Sequence, residues 1–131
     1  MTKRRILLLI GVIALVFLLT SLIVGLWFTW EGMERERSYG IAGEARDSLE
    51  IGMSRSETRE YMTNAWRHYE CNYSVDFAED VYLFGSRNID LAAIVILRFE
   101  KQDDDQVLFQ IAGFGNYMLH LYDDCIITDK E

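Results

Sequence analysis

The sequence predicts an α+β protein: one N-terminal transmembrane helix, then a small two-layer domain of two short helices packed on an antiparallel sheet of three to five strands. Three observations point there. Residues 6–30 hold no charged side chain. Apolar residues then recur at helical spacing as far as Ala65, and from Trp66 onward the period shortens to the two-residue alternation of strands.

The uncharged run from Ile6 to Trp30 is 25 residues long, entered through Lys3-Arg4-Arg5 and left through Glu31. As a helix it measures roughly 37 Å, enough to cross a hydrocarbon core of about 30 Å with some tilt. A secretory signal would be shorter and would end on a small-x-small cleavage site. This run ends instead on Leu26-Trp27-Phe28-Thr29-Trp30, and it carries no lipidation cysteine, the first Cys being Cys71. An uncleaved signal anchor is therefore expected in the plasma (inner) membrane.

Basic residues favour the cytoplasmic end of a membrane helix. Residues 1–5 then form a cytoplasmic tail, residues 6–30 face the lipid bilayer, residues 31–43 act as a juxtamembrane spacer, and residues 44–131 make the extracytoplasmic domain. Ser21 and Gly25 form a small-xxx-small pair through which two anchors can approach as a homodimer. All 21 acidic residues but only 10 of the 13 basic ones follow the anchor, which leaves that portion at a formal charge of −11. So acidic a surface offers no track for phosphates, and nucleic acid is excluded as a partner.

Beyond the spacer, Glu44 to Ile51 suits a short helix ended by Gly52. Ser54 followed by Glu57 reads as a capping box that starts a second helix from Arg55 to Ala65, with Tyr61, Met62 and Ala65 on its inner face. Strand-like segments follow at Trp66–Tyr73 and Val81–Phe84, then a hairpin of 93–101 and 106–112 turning at Asp103-Asp104-Asp105, then Tyr117–Tyr122 after a turn at 113–116. Alternation puts Val95, Leu97, Phe99, Val107, Phe109, Ile111, Leu119 and Leu121 on the face beneath the helices. Ile94, Ile96, Leu108, Met118 and Tyr122 fall on the other face. That face is either covered by the chain itself, for instance by Asn72–Asp80, or is an interaction surface.

The only two cysteines, Cys71 and Cys125, bracket most of the domain, and an oxidising compartment favours a disulfide between them. The rival is a tetrahedral metal site of His68, Cys71, His120 and Cys125. Strand geometry opposes it, because residues three or five apart on a strand point to opposite faces. Asp103-Asp104-Asp105 lacks the spacing of a calcium loop. There is no phosphate loop and no cofactor fingerprint, so no cofactor is expected, and no nucleophile motif surrounds Ser86.

The phrase Leu49-Glu50-Ile51-Gly52-Met53-Ser54-Arg55-Ser56-Glu57, followed by an aromatic strand at Trp66, resembles the SmpA/OmlA (BamE-like) family of small outer-membrane lipoproteins. The resemblance covers residues 44–112. It implies two helices packed on a three-stranded antiparallel sheet, and a mode of work based on binding another envelope protein. The chain departs from the family in having a transmembrane anchor where those proteins carry a lipidated Cys. It also has Thr63-Asn64-Ala65-Trp66 where they have a Gly-x-Pro-like turn. The expected function is a non-catalytic, membrane-anchored interaction module. The alternative is a small enzyme or metal-dependent sensor built on the two His and two Cys.

Overall fold

The computed structural model describes residues 2–112 and 125–129, residues 127–129 through their backbone alone. In order these form α1 (Lys3–Asp47), α2 (Arg55–Tyr61), β1 (Arg67–Asn72), β2 (Phe77–Phe84), β3 (Ala93–Gln102), β4 (Asp105–Ala112) and β5 (Ile126–Asp129). The chain divides into two compact units, residues 1–33 and 34–131.

In the first unit α1 is apolar on every side, with Leu7, Phe17 and Phe28 among its exposed side chains. A helix of that kind suits a hydrocarbon environment. Two of its hydroxyls and one indole N–H are satisfied locally. Thr20 Oγ1 donates to the Val16 carbonyl at 2.7 Å, and Thr29 Oγ1 to the Gly25 carbonyl at 2.9 Å, so neither hydroxyl needs water. Trp27 Nε1 donates to Glu31 Oε1 at 2.8 Å, where the apolar run meets its first carboxylate.

The second unit is a five-stranded, wholly antiparallel sheet in the order β4-β3-β2-β1-β5. One face carries Tyr82, Phe84, Val95, Leu97, Phe99 and Leu108 and packs with Ala42, Ala45, Leu49 and Met62. The opposite face forms a second core of Tyr69, Cys71, Val81, Leu83, Ile94 and Ile96, joined by Ala92 and Trp66. Gly85, at φ +81°, lies so close to α1 that a Cβ there would fall 2.2 Å from Ser38 Oγ. That approach lets Ser38 Oγ accept a hydrogen bond from Ser86 N at 2.9 Å, which only glycine permits at this position.

Several sequence expectations need correction. The spacer and the first short helix are not separate elements, because α1 continues through residues 31–43 to Asp47. Its buried positions are Ser38, Ala42 and Ala45, a helical face made of residues too small to register as an apolar stripe. The second helix stops at Tyr61, with Met62 as its C-cap. Asn72–Asp80 is no cover for the sheet, since Phe77–Asp80 extends β2.

A bulge between Arg98 and Phe99 reverses the alternation of β4: Arg98 pairs with Gln110 but Phe99 with Leu108. Leu108 consequently joins the core under the helices. Val107 lies opposite Glu100, and Phe109 turns towards Phe77. Ile94, Ile96 and Leu108 have no exposed surface and offer a partner nothing. The expected strand Tyr117–Tyr122, with Met118, Leu119, His120, Leu121 and Tyr122, lies outside the described residues, as does the turn at 113–116. β5 was not anticipated.

Candidate functional site

The first turn of α2 holds the group of polar residues that the sequence alone did not disclose. Ser54 caps the helix as expected: its Oγ accepts from Glu57 N, and Glu57 Oε2 accepts from Ser54 N, both at 3.2 Å. The next residue, Arg55, points inward from the cap onto the sheet and is buried. Its Nε donates to both oxygens of Asp80, at 3.1 and 3.2 Å, and its Nη2 donates to Oδ1. Nη1 reaches Asn72 Oδ1 and Gln106 Oε1, each at 2.8 Å. The guanidinium carbon lies 5.6 Å from the centre of the Phe99 ring, within cation–π range. One arginine thus ties α2 to β1, β2 and β4.

Asp80 is wholly buried. Burial pushes its carboxyl pKa up, but the neighbouring His68 imidazole and Arg55 guanidinium outweigh that and hold it below its ordinary 3.8. Around the pair, Arg59 Nη2 meets Glu70 Oε1 at 2.8 Å, and Arg55 Nη2 stands 3.5 Å from the same oxygen. His68 stacks face to face on Tyr82, ring centres 4.3 Å apart and planes 7° apart. Its Nε2 is 3.4 Å from Asp80 Oδ1, close enough to feel the charge but outside hydrogen-bond geometry. Tyr82 is pushed far above the usual phenol range, by burial first and by Asp80 second. Its hydroxyl therefore stays protonated, and among the described residues no hydrogen-bond partner reaches it.

Chemically this arrangement is a lock. A His beside an Asp can serve as a general base, but here both oxygens of that Asp already accept hydrogen bonds from Arg55. Nothing in the local sequence marks Arg55 as inward-facing. Asp80 carried a faint signal, being an acid in step with Tyr82 and Phe84 at the start of an apolar strand run.

Cys71 and Cys125 form a disulfide, Cα atoms 4.8 Å apart, at the point where β5 begins to pair with β1. Both sulfurs are engaged with each other, so neither is a thiolate ligand while the bond stands. His68 lies instead against Tyr82 and Asp80, and His120 is outside the described residues. Among the described residues no group of three or more His, Cys, Asp or Glu is placed to hold a metal ion. Ser21 and Gly25 both lie within α1. Comparison with known proteins returned no matching family model, no matching curated protein and no matching solved structure.

Proposed function

We propose that this chain is a single-pass membrane protein of the plasma (inner) membrane whose residues 34–131 form an extracytoplasmic, non-catalytic module that binds another envelope protein. The observation that carries the reading is the apolar part of α1, a window long enough to cross a bilayer and with none of it buried within the chain. Moving so much apolar surface out of water is strongly favourable, at about 25 cal/mol per Å², and a helix satisfies its own backbone in lipid. Lys3, Arg4 and Arg5 orient it with the N-terminus inside. A disulfide in the domain fits delivery to an oxidising compartment. The Arg55–Asp80 cluster fits a binding module better than an enzyme, since its charges are used up in holding the fold. The likeness of residues 49–57 to the SmpA/OmlA family belongs to the same proposal, with a helix replacing the lipid anchor.

The experiment is to express the whole chain, wash the membranes at alkaline pH and treat intact or wall-stripped cells with protease from outside. A full-length mass in the washed membranes, and digestion of the domain from the outer side alone, are expected. Release of the chain by the wash, loss of residues 1–30 from its mass, or digestion only in inverted vesicles would overturn the reading.

A further inference from the structure

At one end of the sheet the β1–β2 turn (residues 73–76) and the β3–β4 turn (residues 103–104) lie side by side, because β1, β2, β3 and β4 are consecutive antiparallel neighbours in the sheet. A row of aromatic rings crosses this end. Tyr73 stacks on Phe77 with centres 5.7 Å apart, and Phe109, turned to this face by the bulge, approaches Phe77 at 5.8 Å. Tyr73 is 56% exposed and the adjacent Val75 77% exposed, while Phe77 and Phe109 are half-buried. None of the four belongs to either core. Rings left outside the core in a contiguous, partly wet row are a mark of a contact surface.

The rim of that row is acidic. Asp76, Glu100 and Asp103–Asp105 are exposed, with Lys101 the one basic residue in the two turns and the pairs flanking them. Arg98, the nearest arginine on this face, is held by Glu79 Oε2 at 2.9 Å and by Gln110. We propose that this end of the sheet docks a segment of a partner protein rich in Lys and Arg, whose cationic groups meet the rim carboxylates while their aliphatic stems and any apolar neighbours lie on the rings. Charge complementarity selects the occupant. A guanidinium or ammonium over Tyr73 or Phe77 gains cation–π attraction in addition to its ion pairs. A second copy of the chain brings the same carboxylates and is repelled, as is an anionic lipid surface. The inference rests on the interaction-module reading and names the chemistry of its partner.

The test uses the whole chain in its native membrane. A photoreactive benzoylphenylalanine replaces Val75 in one variant and, for comparison, the exposed Ile51 or Ile89 in two others. After illumination the adducts are mapped by mass spectrometry. The expected result is an adduct from position 75 to a Lys/Arg-rich segment of a different protein. The combined substitutions Asp103→Asn, Asp104→Asn and Asp105→Asn should reduce it at least about fivefold at unchanged chain level. An adduct from position 75 to lipid, to a second copy or to a neutral or acidic segment overturns the proposal, as does indifference to the three substitutions. Adducts from positions 51 or 89 alone overturn this surface but leave the module reading standing. Absence of adducts from all three positions overturns both.

Discussion

Asp80 keeps a full negative charge with no exposed surface, a state that costs several kcal/mol per ion unless a partner and hydrogen bonds offset it. Arg55 supplies both. Removing one partner strands the other, so Asp80→Asn should destabilise the fold by about 3 to 5 kcal/mol. Glu70, 3.5 Å from Arg55 Nη2, can recover part of the pairing, which puts the cost towards the lower value. Replacing both partners, Arg55→Met with Asp80→Leu, should cost much less than either single change, since no orphan charge remains. The pair also sets an acid limit. Because the native carboxyl titrates below its ordinary 3.8, its contribution is complete above that pH and is lost as pH falls through the lower native value. Urea titrations at neutral pH and near pH 3 should show the gap between wild type and Asp80→Asn narrowing in acid. A constant gap would mean that Asp80 carries no shifted charge.

At the scale of elements, α2 is only seven residues long, too short to be stable by propensity alone. Its start is held by the capping box and by Arg55. Ser54→Ala should therefore lower stability by about 0.5 to 2 kcal/mol in a denaturant titration. Ser56→Ala should cost less, because its hydroxyl only meets Ser54 Oγ at 3.1 Å and caps no backbone group. If Ser56→Ala proved the costlier, the helix would begin two residues later. Just before the cap, Gly52 N donates to the Leu108 carbonyl and Leu108 N to the Met53 carbonyl, both at 2.8 Å. The approach to α2 thus covers part of the outer edge of β4, which would otherwise present unpaired donors and acceptors.

For the whole molecule, the cross-link from Cys71 to Cys125 spans 54 residues and joins the last strand to the middle of the domain. Restricting so long a loop in the unfolded chain contributes roughly 2 to 4 kcal/mol. Cys71→Ser and Cys125→Ser should each lower the melting temperature, and the double substitution should cost about as much as either, because one bond is lost in every case. Reduction should have the same effect and a chelator none. Two free thiols in the mass of the native protein, or stoichiometric zinc, would sink this account.

Much of this architecture could be read from local pattern. The 25-residue uncharged run, the capping box at Ser54 and Glu57, the hairpin around Asp103 and the pairing of two lone cysteines each rest on chemistry confined to a few neighbouring residues or to a bare count. What escaped were features created by contact at a distance. The continuation of α1 to Asp47 depends on small residues, Ser38 and Ala42, whose burial follows from what packs on them and from Gly85 making room. The side on which Leu108 falls depends on one extra residue in β4, and a single slip in a two-residue period exchanges inside for outside. The Arg55–Asp80 lock joins residues 25 positions apart, and neither is apolar, so periodicity announced Asp80 only faintly and Arg55 not at all. Sequence by itself located the apolar run that can meet a bilayer, the capped start of α2 and the β3–β4 hairpin, each through local chemistry. Only the tertiary structure decided which face of each strand is buried and which charges are spent inside, because both are settled by partners that lie far along the chain.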